Sequence, residues 1–95
     1  MNDTFKGFIK TYLDIDVAYY PDLRLKETLH SCDDEFVDAV RSGFKDLLRS
    51  RSLSPYDWEG LTMIEFEDED ALYDYLNRMY AYLFLGSEDQ PFPPE

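Results

Sequence analysis

The chain has 95 residues, which is the size of one compact domain. Its hydrophobic content of 44% and aromatic content of 17% argue against a disordered body. Its net charge of −12 argues against unaided binding to nucleic acid, which needs Lys and Arg. Cys32 is the only cysteine, so no intramolecular disulfide can form. With no signal-peptide pattern and no membrane-length apolar run, we expect a cytoplasmic protein without membrane contact.

The first predicted helix lies near the N-terminus. Apolar side chains recur there with the spacing of one helical face, at Phe5, Phe8, Ile9, Tyr12 and Leu13. We expect Asp3 or Thr4 to cap this helix, because a short polar side chain can accept a hydrogen bond from the first turn. Residues 14–22 break the pattern, and residues 21–29 remain open between a short helix starting at Pro21 and an extended stretch.

The next predicted helix follows Ser31. Ser31 and Asp34 have the spacing of a capping box. An apolar stripe then occupies one helical face, formed by Phe36, Val37, Val40, Phe44, Leu47 and Leu48. Gly43 lies within this stripe, where glycine weakens a helix by about 1 kcal/mol relative to Ala. We therefore expect Gly43 to let another element approach closely.

A third, short helix is predicted to begin at Ser54-Pro55, because Ser is a preferred N-cap and Pro fits the first helical position. Trp58 and Leu61 are its expected core contacts, with Trp58 buried against the first or the last helix. Gly60 is the expected end of the helix. Residues 61–66 have the pattern of a turn or a brief strand.

The last predicted helix has the most continuous apolar stripe, formed by Leu72, Tyr73, Leu76, Met79, Tyr80, Leu83 and Phe84. Residues 67–70 place negative charge at its positive end. Gly86 suits the left-handed position that ends a helix. Residues 87–95 are acidic and rich in Pro, which favours an extended or disordered tail.

These elements predict an all-α fold. Four helices, or five if residues 21–29 form one, pack as a small helical bundle in a single domain of residues 1–86. The Pro-rich tail of residues 87–95 follows that domain.

Catalytic and metal-binding patterns are weak in this sequence. His30 is the only histidine and has no Ser or Cys in a recognisable triad pattern. Asp14 and Asp16 begin like a calcium loop, but the sixth position is Tyr19 and the twelfth is Leu25, where Gly and Glu are required. We therefore predict no enzyme activity, no metal site and no cofactor.

The acidic residues are concentrated in one half of the chain. Residues 57–95 contain eleven carboxylates and one base, a net charge of −10, whereas residues 1–56 carry −2. A charge needed for solubility alone could be spread evenly, so the concentration favours a directed role towards a protein partner. The candidate partner-binding residues are Glu65, Glu67, Asp68, Asp70, Asp74, Tyr75, Tyr82, Tyr19 and Tyr20. For the tyrosines two interpretations stay open: a contact surface, or cover for a neighbouring loop or the tail.

A family resemblance is carried by the segments Asp57-Trp58-Glu59-Gly60-Leu61-Thr62, Glu65-Phe66, Leu72-Tyr73-Asp74-Tyr75-Leu76 and Tyr80-Ala81-Tyr82-Leu83-Phe84-Leu85-Gly86. Across residues 54–94 the chain resembles small bacterial immunity proteins of contact-dependent growth inhibition and related polymorphic toxin systems. The resemblance implies an antitoxin that binds and neutralises the toxic domain of a delivered effector. A basic nuclease domain would complement the acidic surface of this chain.

Two other classes of function remain. The first is an acidic regulator or nucleic-acid mimic that binds a nucleic-acid-binding protein of the host or a phage. Such a regulator needs the same acidic surface as an immunity protein, so the charge of the chain does not distinguish the two. The second is a small enzyme or metal-binding domain, which the weak catalytic patterns make the less favoured hypothesis.

Overall fold

A computed structural model describes residues 1–20 and 24–94. Within these residues it contains five helices and no strand: α1 (Asp3–Tyr12), α2 (Leu25–His30), α3 (Asp34–Ser50), α4 (Pro55–Thr62) and α5 (Glu69–Phe84). The predicted all-α bundle is therefore confirmed. Of the two possibilities for residues 21–29, a short helix forms, starting at Leu25. The predicted role of Pro21 lies outside the described residues.

Helix α1 is capped by a different residue from the two predicted. The side chain of Asn2 accepts a hydrogen bond from the backbone N–H of Phe5 at 2.6 Å, whereas Asp3 and Thr4 lie in the first turn. The extended backbone of Asn2 is what allows its side chain to turn back onto the helix. The same side chain donates to the carbonyl of Ala39 at 3.0 Å, and so links α1 to α3.

The capping box predicted at Ser31 is wrong. Asp33 caps α3 by accepting from the N–H of Phe36 at 2.9 Å. Ser31 has a helical backbone because it ends α2, and its hydroxyl donates to the carbonyl of Thr28 at 2.7 Å. A residue in that conformation cannot serve as an N-cap, since N-caps have extended backbones.

Helix α4 begins where the sequence predicts and ends later. The Ser54 hydroxyl accepts from the N–H of Asp57, and the Asp57 carboxylate accepts from the N–H of Ser54, each at 3.1 Å. Gly60 does not end the helix, which continues to Thr62. Met63 ends it instead, with a left-handed backbone at φ +65°.

Helix α3 lies between α1 and α5, while α4 packs on α1 and α2 packs on α5. The ring of Phe44 is central, because it contacts the rings of Phe5, Phe8, Tyr80 and Phe84. A Cβ added at Gly43 would overlap the side chain of Phe5. The predicted close approach at Gly43 is therefore confirmed.

Trp58 is fully buried, and the helix that carries it packs on α1, as predicted. The connection from α4 to α5 forms neither helix nor strand. Its side chains nevertheless alternate, with Ile64 and Phe66 buried and Met63, Glu65 and Glu67 exposed. This alternation is typical of an extended segment lying on a core.

The chain returns onto the bundle after α5. Gly86 has φ +85°, which confirms the predicted left-handed position. Residues 87–94 are non-helical, and Pro93 is buried. The hydroxyl of Tyr19 donates to the carbonyl of Pro94, and the ammonium of Lys26 donates to the carbonyl of Ser87 at 3.1 Å.

Candidate functional site

The acidic residues at the start of α5 are engaged within the chain. Asp68 is the N-cap and accepts from the N–H of Ala71 at 2.8 Å. Asp70 pairs with the guanidinium of Arg51 at 3.0 Å, and Glu69 lies 3.4 Å from the same group. The hydrogen bond that Arg51 donates to Asp70 raises the pKa of the guanidinium. These contacts give Asp68 and Asp70 structural roles in addition to their predicted role in partner binding.

Arg51 combines an unfavourable backbone conformation with several side-chain contacts. Its backbone is left-handed, at φ +48°, a conformation that is unfavourable for residues with a Cβ. Its side chain makes the two ion pairs and lies 4.9 Å above the ring of Tyr73. These contacts join the end of α3 to the first turns of α5.

Asp74 and Tyr75 lie next to the tail on α5, Asp74 exposed and Tyr75 buried. Asp74 pairs with Arg78 one turn later, at 3.1 Å. Tyr75 is only 4% exposed, and its ring contacts that of Phe66 at 5.3 Å. Both residues border a cleft of about 290 Å³ that is closed on one side by Pro91, Phe92 and Pro94.

The hydroxyl of Tyr75 is buried and has no hydrogen-bond partner among the described residues. Burial raises the pKa of this hydroxyl strongly, because the phenolate would lose its hydration. Tyr82 is also buried, with the ammonium of Lys26 at 4.8 Å from its ring centre. In the structure both rings therefore lie beneath neighbouring segments, and their role in partner binding stays a prediction.

The remaining predicted residues are Tyr19, Tyr20, Glu65 and Glu67. Tyr20 is 57% exposed. Glu65 and Glu67 are exposed and make no ion pair with any residue that the structure describes. Tyr19 is half-buried, held by its hydrogen bond to Pro94.

Three of the predicted residues meet in one groove of about 450 Å³ beside the connection from α4 to α5. We call it the α4–α5 groove; it is lined by Ile15, Tyr19, Met63, Glu65, Glu67 and Pro94. Ile15 is 45% exposed and Met63 is 72% exposed. The groove therefore combines exposed apolar side chains with two carboxylates that have no ion-pair partner in the described part of the chain.

No family model, no curated protein and no solved structure matches this chain. The functional argument consequently depends on the residues of the chain and on their geometry.

Ile15 and Met63 were not predicted from the sequence as functional residues. Each is a single apolar residue outside a helical stripe, so periodicity gives no indication of its position. For Ile15 a signal was available, since it is an apolar residue between the carboxylates of Asp14 and Asp16. For Met63 the informative feature is its left-handed backbone. Such a position at the end of a helix is usually recognised in a sequence by a glycine, and here the residue is methionine.

The backbone of the α4–α5 groove is held by hydrogen bonds. The N–H of Ile15 donates to the carbonyl of Thr62 at 2.9 Å. The hydroxyl of Thr62 in turn donates to the carbonyl of Trp58 at 2.9 Å and accepts from the N–H of Ile64 at 3.2 Å. Thr62 is fully buried, and these bonds satisfy its hydroxyl.

His30 has a structural contact. Its Nε2 donates to the carbonyl oxygen of Leu83 at 2.7 Å, and its ring packs edge-on against Phe84. Among residues 1–20 and 24–94, no group of three or more His, Cys, Asp or Glu side chains is placed to hold a metal ion. In the same residues, every helix is too short or too polar to cross a bilayer.

Proposed function

We propose that this chain is an immunity protein that binds a cognate toxin domain, a basic nuclease, and neutralises it by forming a stoichiometric complex. The observation that carries the proposal is the α4–α5 groove, where Glu65 and Glu67 are exposed and unpaired within the described residues beside exposed Met63. Unpaired carboxylates around an apolar centre are suited to a cationic protein surface. The hypothesis of an immunity protein itself comes from the resemblance of residues 54–94 to that class of protein.

The charge distribution favours a cationic partner. Residues 57–95 carry a net charge of −10, although local ion pairs use part of it at Asp70 and Asp74. A nuclease needs a basic cleft to hold phosphates, and an acidic protein approaching such a cleft is attracted over several ångströms. Association is then fast at low salt, which an inhibitor requires if it is to capture a toxin before damage occurs.

In this proposal the chain acts in the cytoplasm by occupying the toxin domain, with no cofactor and no bond made or broken. Its own residues supply shape and charge. The wild-type complex is therefore expected to contain one copy of each protein.

The proposal is tested with the C-terminal domain of a toxin encoded directly upstream of this chain. We expect one-to-one binding by isothermal titration calorimetry, and survival of cells that produce the toxin domain only when this chain is produced with it. Failure of both binding and protection contradicts the proposal. A complex with a nucleic-acid-binding protein of the host, displaced by added DNA, would instead identify an acidic regulator.

A further inference from the structure

We propose that the α4–α5 groove is the docking site for a cationic segment of the partner that carries one apolar side chain next to alternating Lys or Arg residues. This inference rests on the proposed function and identifies the face that performs it. The apolar side chain would lie between Ile15 and Met63, and the cations would pair with Glu65 and Glu67.

The first argument is the conformation of Met63. A residue with a Cβ loses about 1–2 kcal/mol in the left-handed region, and glycine is the usual residue where a helix ends this way. Arg51, which has the same backbone conformation, uses its side chain for two ion pairs and a contact with the ring of Tyr73. Met63 is 72% exposed, so little of its side chain is available for contacts within the chain. A methionine at this position is suited to contact another molecule, because its thioether side chain adapts to irregular apolar surfaces.

The second argument is the spacing of Met63, Glu65 and Glu67. These side chains are exposed on every second residue, while Ile64 and Phe66 are buried between them. Met63 lies at the left-handed turn that ends α4, and the two carboxylates follow it on an extended stretch, where side chains two residues apart are separated by about 6.6 Å. An extended partner segment with cations at every second position has the spacing of Glu65 and Glu67, so its charges can meet both carboxylates at once.

The third argument is that the groove is already formed. Ile15 is tied to Thr62 through the backbone, and Tyr19 is tied to Pro94. Because these contacts hold two walls of the groove in place, little ordering is needed when a partner binds. An apolar centre surrounded by polar groups is also the arrangement in which binding energy concentrates in protein interfaces.

The test compares matched variants in surface plasmon resonance with the toxin domain that the binding and protection experiments above identify. Met63→Gly removes the apolar side chain while suiting the left-handed backbone, and Leu85→Ala is its control, since Leu85 is 68% exposed and does not line the groove. We expect Met63→Gly to dissociate roughly 10-fold faster and Leu85→Ala to be unchanged.

For the carboxylates, the double variant Glu65→Gln, Glu67→Gln is compared with Glu27→Gln, Glu35→Gln, which removes the same charge at exposed positions outside the groove. The first pair is expected to slow association about threefold or more than the second. If wild-type chain binds the toxin domain and every variant binds equally, the groove is not the docking site although the proposed function stands. If wild-type chain does not bind, the proposed function itself fails, and this assignment fails with it.

Discussion

The backbone N–H of Ile15 donates to the carbonyl of Thr62 at 2.9 Å, which joins the segment after α1 to the last residue of α4. This bond places Ile15 beside Met63, although the two residues are far apart in sequence. The apolar centre of the α4–α5 groove therefore depends on the end of α4 as well as on exposed side chains.

The left-handed backbone of Met63 predicts that Met63→Gly does not lower the free energy of unfolding. Removing the Cβ relieves up to about 1–2 kcal/mol, partly offset by the greater freedom of glycine in the unfolded chain. Arg51→Gly should gain less or lose stability, because it also removes the ion pairs with Glu69 and Asp70. Urea denaturation of both variants checks this, and a clear loss at Met63 would show that its side chain does stabilise the fold.

The contact between Gly43 and Phe5 predicts opposite effects of alanine at two helical glycines. A Cβ at Gly43 would overlap the Phe5 side chain, so Gly43→Ala should cost about 1–3 kcal/mol despite the better helix propensity of Ala. Gly7 has no neighbouring atom within 4 Å of the added Cβ, and Gly7→Ala should gain about 0.5–1 kcal/mol. Thermal unfolding distinguishes the two, and equal effects would contradict the packing described for α1 on α3.

Burial of Trp58 predicts a large loss on truncation. Trp58→Ala should cost about 3–5 kcal/mol, which is much of the stability of a small domain. Trp58→Phe, which keeps an aromatic ring in the same place, should cost less. Circular dichroism follows the loss of helix, and the fluorescence of wild-type Trp58 should be shielded from aqueous quenchers. A quenching rate like that of free tryptophan would overturn this packing.

The buried hydroxyl of Tyr75 predicts a dependence of stability on alkaline pH. Its pKa is raised in the folded state, so the unfolded chain loses the proton first, and stability should fall above about pH 10. Each pH unit above that point costs about 1.4 kcal/mol while folded Tyr75 stays protonated. Tyr75→Phe removes the part of this decline that Tyr75 causes, while Tyr73, whose pKa burial also raises, keeps its own. It also removes a buried hydroxyl that has no partner among the described residues, and should gain about 1 kcal/mol at neutral pH. Urea denaturation near pH 7 and near pH 11 measures both effects, with Tyr20→Phe as the exposed control.

The different roles of the carboxylates predict that stability and binding can be separated. Asp68→Ala should lower the free energy of unfolding by about 1 kcal/mol through loss of the cap on α5. Glu67→Gln should leave stability nearly unchanged and should weaken the salt dependence of association with the toxin domain. Stopped-flow kinetics at two salt concentrations checks the second effect. If Asp68→Ala slows association more than Glu67→Gln, the binding surface lies at the start of α5 and not in the groove.

Much of the fold was predictable because the apolar residues of long helices recur with helical spacing in the sequence. The stripes from Phe36 to Leu48 and from Leu72 to Phe84 each bury one face against the core, and the pair Ser54-Pro55 marks the start of α4. The caps of α1 and α3 were not predictable in the same way. Ser, Thr, Asp and Asn are all good caps, so the backbone conformation decides between neighbouring candidates such as Ser31 and Asp33.

The candidate site was only partly predictable. The acidic residues were visible from charge alone, but their ion pairs were not, because Arg51 reaches Asp70 across a separation that no local rule covers. The same is true of Tyr75, whose helical face is covered because the tail returns over it. Contacts between distant segments decide which polar side chains remain free to bind a partner, and such contacts cannot be predicted from a single sequence.

The exposure of Met63 also makes the groove sensitive to oxidation. Thioethers in contact with water are converted to sulfoxides, which turns a flexible apolar side chain into a polar one. Met79 is fully buried, so mild peroxide should modify Met63 well before it reaches the core. Oxidation during storage would then make the apolar centre of the groove polar while the helices remain intact. Methionine sulfoxide reductase would restore the thioether of Met63.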